Sequence, residues 1–183
     1  MDIFLPFDFA ILDWIAEHLR CGFLDFVMPL ITRLGDEGIF WIIVAVIMLI
    51  FPKTRKAGAM MGVAMILGLL VGNLTLKPLI ARPRPYTELG ISPYLVEGLS
   101  SMSFPSGHTL VCFEAATVLM LRYRKPWGIA ALVVAILVAF SRLYLYVHFP
   151  TDVIAGVLLG TFFGFCGVWI VNGVIRAWKK LRG

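Results

Sequence analysis

Residues 153–175 read VIAGVLLGTFFGFCGVWIVNGVI, 23 positions without a charged side chain. A bilayer core of about 30 Å is crossed by about 20 helical residues at about 1.5 Å each, so this stretch predicts a membrane span with some tilt. Ala57 to Leu76 is equally free of charge and predicts a second. Three further runs are less regular. Gly38 to Pro52 is uncharged but short, Ser106 to Leu121 contains His108 and Glu114, and Trp127 to Val147 is interrupted by Ser141 and Arg142. The chain as a whole agrees, because 60% of its 183 residues are apolar and 15% charged, against about 45–50% and about 25% in soluble proteins. A soluble globular domain is therefore excluded. The formal charge of +5 is dispersed between apolar runs, which points to membrane phospholipid and not nucleic acid as the acidic neighbour. Cys21, Cys112 and Cys166 have neither metal-ligand nor redox spacing, and the last two, inside apolar stretches, are expected to be small core residues. No cleavage pattern precedes the first apolar run, so a removed leader is not expected.

The basic residues set the orientation, since cytoplasmic loops are enriched in Lys and Arg. Lys53, Arg55 and Lys56 form one cluster, Arg122, Arg124 and Lys125 a second, and Arg176, Lys179, Lys180 and Arg182 a third, each two spans from the last. All three are expected on the cytoplasmic side, with the C-terminus. Gly35 to Glu37, Lys77 to Pro105 and the corner at His148 are left on the outer face. Phe23 to Leu34 is either a short first span or a half-buried helix. Pro6 to Arg20 sets Ile11, Trp14 and Ile15 against Asp13, Glu17 and Arg20 at helical spacing, as in a helix lying in the interface. The expected fold is an all-α polytopic membrane bundle of about six transmembrane helices, preceded by an interfacial amphipathic helix within residues 1–22. The whole chain, 1–183, forms one domain. Gly156, Gly160 and Gly164 recur on one face of the last span and suit close helix packing, inside one chain before between protomers.

The outer face should be poor in basic residues, yet Lys77, Arg82, Arg84 and Arg142 all fall there. Snorkelling to the headgroups explains Arg82 as well as any function does. It explains Arg142 less well, because that residue sits near the end of an apolar helix, where a charge needs a polar cavity or a protein partner. Phe104-Pro105-Ser106-Gly107-His108 describes a helix start, whose free N–H groups favour an anion. Gly107 admits close approach and Ser106 adds a hydroxyl. In the stretch from Ser141 to Asp152, Pro150 opens the last span. Asp152 can then reach back to His148, fixing one ring nitrogen as donor and leaving the other as nucleophile or base.

Lys77, six residues, then Arg84-Pro85; Pro105-Ser106-Gly107-His108; and Ser141-Arg142, five residues, His148, three residues, Asp152 together resemble the three-part signature of the type 2 phosphatidic acid phosphatase family, which includes vanadium haloperoxidases and glucose-6-phosphatase. The motifs lie within residues 77–152. The resemblance implies that His148 attacks phosphorus to give a phosphohistidine, oriented by Asp152, and that His108 protonates the leaving oxygen and then activates water. It further implies that Lys77, Arg84 and Arg142, with Ser106 and the Gly107 N–H, hold the phosphoryl oxygens. Three cations facing a dianion leave no electrostatic need for magnesium, and Glu88, Glu97 and Asp152 are too separated in sequence to suggest a metal cluster. No cofactor or metal is expected.

A site at headgroup level admits a lipid phosphate sideways from the bilayer. The resemblance to compact bacterial members and the outward-facing site suggest undecaprenyl diphosphate, hydrolysed to the monophosphate at the plasma membrane, with phosphatidylglycerophosphate and phosphatidic acid as alternatives. A non-catalytic lipid-phosphate binder or transporter is the reading from another class, and the intact His148, Asp152 and His108 set disfavours it. Glu114 departs from the family's small residues. It is open between pairing with Arg142, lining the cleft and serving as a structural carboxyl. The loop Tyr86 to Met102, with Tyr94, Leu95 and Leu99, is either a cover for the cleft or a plain connection. Oligomeric state is not legible.

Overall fold

The computed structural model describes residues 3–98, 101–123 and 126–182. Among these residues the chain is helical with no strand. The helices are α1 (Leu5–His18), α2 (Gly22–Thr32), α3 (Ile39–Ile50), α4 (Arg55–Leu67), α5 (Lys77–Ile80), α6 (Pro85–Glu88), α7 (Gly107–Tyr123), α8 (Trp127–Tyr144) and α9 (Pro150–Arg182). A kinked 3-10 turn, Arg33–Gly38, joins α2 to α3, and a π-helical segment, Gly68–Leu76, carries α4 on into α5.

Among the described residues, three helical runs are long and apolar enough to cross a membrane: Arg55–Glu88, Trp127–Tyr144 and Pro150–Arg182. The 11 residues of α2 cover only about 16 Å. Pro29 lies inside that helix, which gives way to the turn at Arg33, so α2 does not cross a full hydrocarbon core by itself. The 33 residues of α9 extend for about 50 Å, beyond what one crossing needs. Asp152 lies in its first turn and Lys179, Lys180 and Arg182 in its last, so acidic and basic ends are separated by the length of the bundle. Lys56 shares a surface hollow with Arg176 and Lys179, which brings two of the basic clusters to one end. Arg124 and Lys125 of the remaining cluster lie outside the described residues.

Helix α7 is the axis of the bundle and packs against α4, α8 and α9. The glycine stripe of α9 makes this approach possible within one chain. A Cβ at Gly160 would stand 2.4 Å from the Leu110 carbonyl oxygen, and one at Gly156 2.9 Å from that of Ser106. Cys112 is buried and accepts the Trp41 indole N–H at 3.1 Å, as a core residue. Helix α1 docks on α8 and α9 and buries Leu12 and Ile15 while Phe7 and Trp14 stay exposed. It also buries Asp8 completely, which its sequence pattern did not foreshadow.

Candidate active site

Helix α8 ends at Tyr144, and Tyr146 turns the chain with φ 58° before Pro150 opens α9. The Tyr146 hydroxyl donates to Asp13 Oδ1 at 2.7 Å, pinning this corner to α1. His148 projects from the corner and is 1% exposed. Its Nε2 lies 3.1 Å from Arg84 Nη1. A guanidinium only donates, so Nε2 is the acceptor and the neutral ring carries its proton on Nδ1. That Nδ1–H faces Ser103 Oγ at 3.3 Å, and Ser103 donates in turn to Asp152 Oδ2 at 2.5 Å. Asp152 Oδ2 is 3.6 Å from Nδ1, outside direct hydrogen-bond reach, so Asp152 acts on the ring through Ser103 instead of by the expected direct contact. The tautomer leaves a lone pair on Nε2. Burial first, then the positive charges of Arg84 and Arg142, push His148 well below the ordinary imidazole pKa.

Behind the ring, Asp152 is held by further partners. Its Oδ2 accepts the Phe149 N–H at 2.9 Å, and its Oδ1 pairs with Arg82 Nη1 at 2.7 Å. Arg82 reaches across to Asp8 Oδ2 at 2.6 Å, and Asp8 accepts the Thr151 N–H at 3.0 Å and its hydroxyl at 2.6 Å. Arg82 therefore belongs to a buried ion-pair chain and does not snorkel. Its position between Lys77 and Arg84 was the available signal. Nothing in the sequence linked Asp8 to Thr151, 143 residues away, or singled out Ser103.

The front of the ring faces α7 and the π segment. Gly107 opens α7 towards Asn73 and Lys77: a Cβ there would lie 3.2 Å from Asn73 Oδ1 and 3.5 Å from Lys77 Nζ. His108 Nε2 is 2.7 Å from Asp36 Oδ1, a partner that sequence reading missed because it comes from the turn before α3. Glu37 and Gly38 have φ of 48° and 68°, the left-handed turn that presents Asp36 to α7. The hydrogen bond from His108 holds the Asp36 carboxyl below its ordinary pKa, with Arg142 and Arg33 adding to the effect. Arg84 is tied down by Ser101 and by the Val147 carbonyl as well as by His148. Arg142 is 2% exposed and donates from Nη1 to Thr32 Oγ1 at 2.5 Å, while its Nε and Nη2 have no partner. The Ser106 hydroxyl meets Thr109 Oγ1 at 2.9 Å, and its N–H meets the Asp152 carbonyl at 3.1 Å.

Lys77, Arg84, Gly107, His108 and His148 line the polar end of a cleft of about 430 Å³. Ile42, Val46 and Leu49 of α3 face Met65, Ile66 and Leu69 along its apolar length. A phosphate fits the first part and a hydrocarbon tail the second. Glu114 lines the cleft and makes no ion pair with Arg142. Of the loop, Tyr94 is docked away from the imidazoles: Arg20 stacks 3.8 Å above its ring and its hydroxyl donates to Asp25 at 3.4 Å. Leu95 is exposed, and Leu99 lies outside the described residues.

Residues 54–176 match the PAP2 superfamily. An undecaprenyl-diphosphatase of Sulfolobus acidocaldarius is 35% identical over 85% of this chain and 75% of its own. Phosphatidylglycerophosphatase B of Bacillus subtilis is 34% identical over 91% of this chain and 83% of its own. Among solved structures, a transmembrane PAP2-type phosphatidylglycerolphosphate phosphatase of Bacillus subtilis superposes with a TM-score of 0.73 at 30% identity, covering 97% of this chain and 88% of that one. LpxE of Aquifex aeolicus superposes with a TM-score of 0.78 at 27% identity, covering 88% and 94%.

Proposed function

This chain belongs to the PAP2 superfamily, and on that premise we propose that it is an integral membrane lipid phosphatase working through a phosphohistidine. The carrying observation is the His148 ring at the cleft, with its Nε2 accepting from Arg84 and its Nδ1–H on the Ser103–Asp152 relay. In the first step Nε2 forms a bond to the terminal phosphorus, the bond from that phosphorus to the leaving oxygen breaks, which is the bridging oxygen of a diphosphate or the ester oxygen of a monophosphate, and His108 delivers a proton to that oxygen. The imidazolium that results is stabilised through Ser103 by Asp152. In the second step His108 takes a proton from water, the oxygen attacks phosphorus, and His148 and inorganic phosphate are released. Lys77, Arg84 and Arg142, with the α7 start at Ser106 and Gly107, hold the phosphoryl oxygens and offset their charge as it shifts. With these cations supplying the electrostatics, the hydrolysis is metal-independent.

Undecaprenyl diphosphate is the substrate this reading favours, because long apolar walls follow directly on a strongly cationic end. A glycerolipid phosphate such as phosphatidylglycerophosphate is the second reading, favoured by a polar residue, Glu114, within those walls. The bundle is read as five crossings, by α3, the run that begins with α4, α7, α8 and α9, in place of the expected six, with α1 in the interface, α2 half-buried, the site on the extracytoplasmic face and the C-terminus in the cytoplasm. The separation of Asp152 from the basic end of α9 supports that orientation. The test compares purified protein with His148→Ala on prenyl diphosphate and phosphatidic acid in detergent with excess chelator. Wild type is expected to release phosphate, with labelled substrate leaving acid-labile label on the protein. The variant should fall by about 10³-fold or more. Equal release from both would eliminate the nucleophile, and binding without turnover by wild type would favour a lipid-phosphate binder or transporter.

A further inference from the structure

Glu114 has no part in the proposed chemistry, yet it is 1% exposed and neither carboxyl oxygen has a partner. Burying such a group is costly unless something supplies a hydrogen bond. Gly107, Leu110, Val111 and Glu114 all line the cleft. Their spacing of three, four and seven residues puts them on one face of α7. Seven residues separate Glu114 from Gly107 by about 10 Å along the axis, and helical side chains lean towards the N-terminus, so the carboxyl is carried back towards the phosphate end.

The opposite wall is cut to receive it. A Cβ at Gly68, where the π segment begins, would stand 1.8 Å from Glu114 Oε1. Higher on the same wall the Asn73 amide oxygen is also buried without a partner, facing Gly107. Unsatisfied polar atoms thus descend the cleft from the cationic end into an apolar section. The cations lie at the upper end, so a second phosphate is poorly matched to Glu114. Neutral oxygens are well matched.

We propose that Glu114 is a specificity-determining residue that hydrogen-bonds the ester oxygens at the root of a glycerolipid's acyl chains. Glu114 therefore sets the preference of the cleft between diacylglycerol phosphates and prenyl diphosphates. This rests on the lipid-phosphatase reading. Ester oxygens follow the phosphate by a few bonds, whereas a prenyl chain has no polar atom at that depth. A carboxyl and a carboxamide each offer a donor and an acceptor there, and a hydrocarbon side chain offers neither.

The experiment measures kcat and KM of the full chain in detergent for dioleoyl phosphatidic acid and for farnesyl diphosphate. Glu114→Leu is expected to raise KM for phosphatidic acid about tenfold while farnesyl diphosphate stays within about twofold, the pattern of a lost ground-state hydrogen bond. Glu114→Gln should restore wild-type selectivity. Gly68→Ala, which displaces the carboxyl without removing it, should reproduce the loss if Glu114→Leu fails to fold. Equal effects on both substrates, no effect on either, or a Glu114→Gln variant as impaired as Glu114→Leu would overturn the assignment. So would a wild type that cleaves the prenyl substrate alone. Failure of wild type to cleave either lipid would instead overturn the phosphatase reading.

Discussion

Behind the His148 ring, Asp152, Arg82, Asp8 and Thr151 engage one another, whereas in front of it Asn73 and Glu114 line the cleft, and with Arg142, which is buried outside that lining, they keep polar atoms with no protein partner. The two walls are made of similar side chains and are comparably buried. Their difference separates what the fold fixes from what a ligand completes. Rear-wall groups engage one another and hold His148 in one tautomer. The front-wall atoms have no protein partner, which costs stability and is typical of a site that a ligand completes.

The sharpest way to break the comparison is Arg142→Gln. The amide can keep the bond to Thr32 while the unsatisfied guanidinium N–H groups disappear. Steady-state kinetics should then show a loss of about 10²–10³-fold in kcat/KM, the usual cost of one donor to a developing oxyanion. Thermal unfolding in detergent should show an unchanged or raised midpoint, because an under-satisfied buried charge has been removed. A large fall in midpoint would mean that Arg142 is rear-wall material.

A smaller effect is expected on the other wall. Ser103→Ala breaks the relay from His148 Nδ1 to Asp152 but leaves Asp152 within 3.6 Å of the ring. Activity should fall about tenfold, on the scale of one lost charge-assisted hydrogen bond, mainly in kcat. Ser103→Thr should recover it. A loss confined to KM would place Ser103 with the substrate contacts instead.

The smallest effect concerns pH. His148 stays neutral in the folded protein well below the ordinary imidazole pKa and protonates there only on unfolding. Because the unfolded state then binds the extra proton, stability falls as pH drops through 6.5, by at most about 1.4 kcal/mol per pH unit. His148→Asn should remove that slope in chemical denaturation measured between pH 7 and pH 5. An unchanged slope would mean that the ring is already protonated in the folded state.

The same contrast explains what could be read from the residues in order. Two neutral runs, 57–76 and 153–175, declared a membrane bundle because no soluble core needs such lengths of uncharged chain. The spacing of Lys77, Arg84, His108, Arg142, His148 and Asp152 declared the phosphate chemistry, since each motif lies at one helix end and needs only local geometry. The helices outside those runs were less legible. The shortness of α2 follows from Pro29 and the turn after Thr32, and Asp8 was hidden in a helix patterned like an interfacial one.

What the amino-acid order determined, then, was the solvent the chain lives in and the groups proposed to meet phosphorus, because hydropathy and helical spacing act over neighbouring residues. Only the tertiary structure decided that Ser103 stands between His148 and Asp152, that Asp36 holds His108, that Arg82 joins Asp152 to Asp8, and that Glu114 faces the notch at Gly68. Those pairings join residues up to 74 positions apart. They exist because α1, the turn before α3 and the π segment all pack around the ends of α7 and α9, an outcome that depends on how the helices close together.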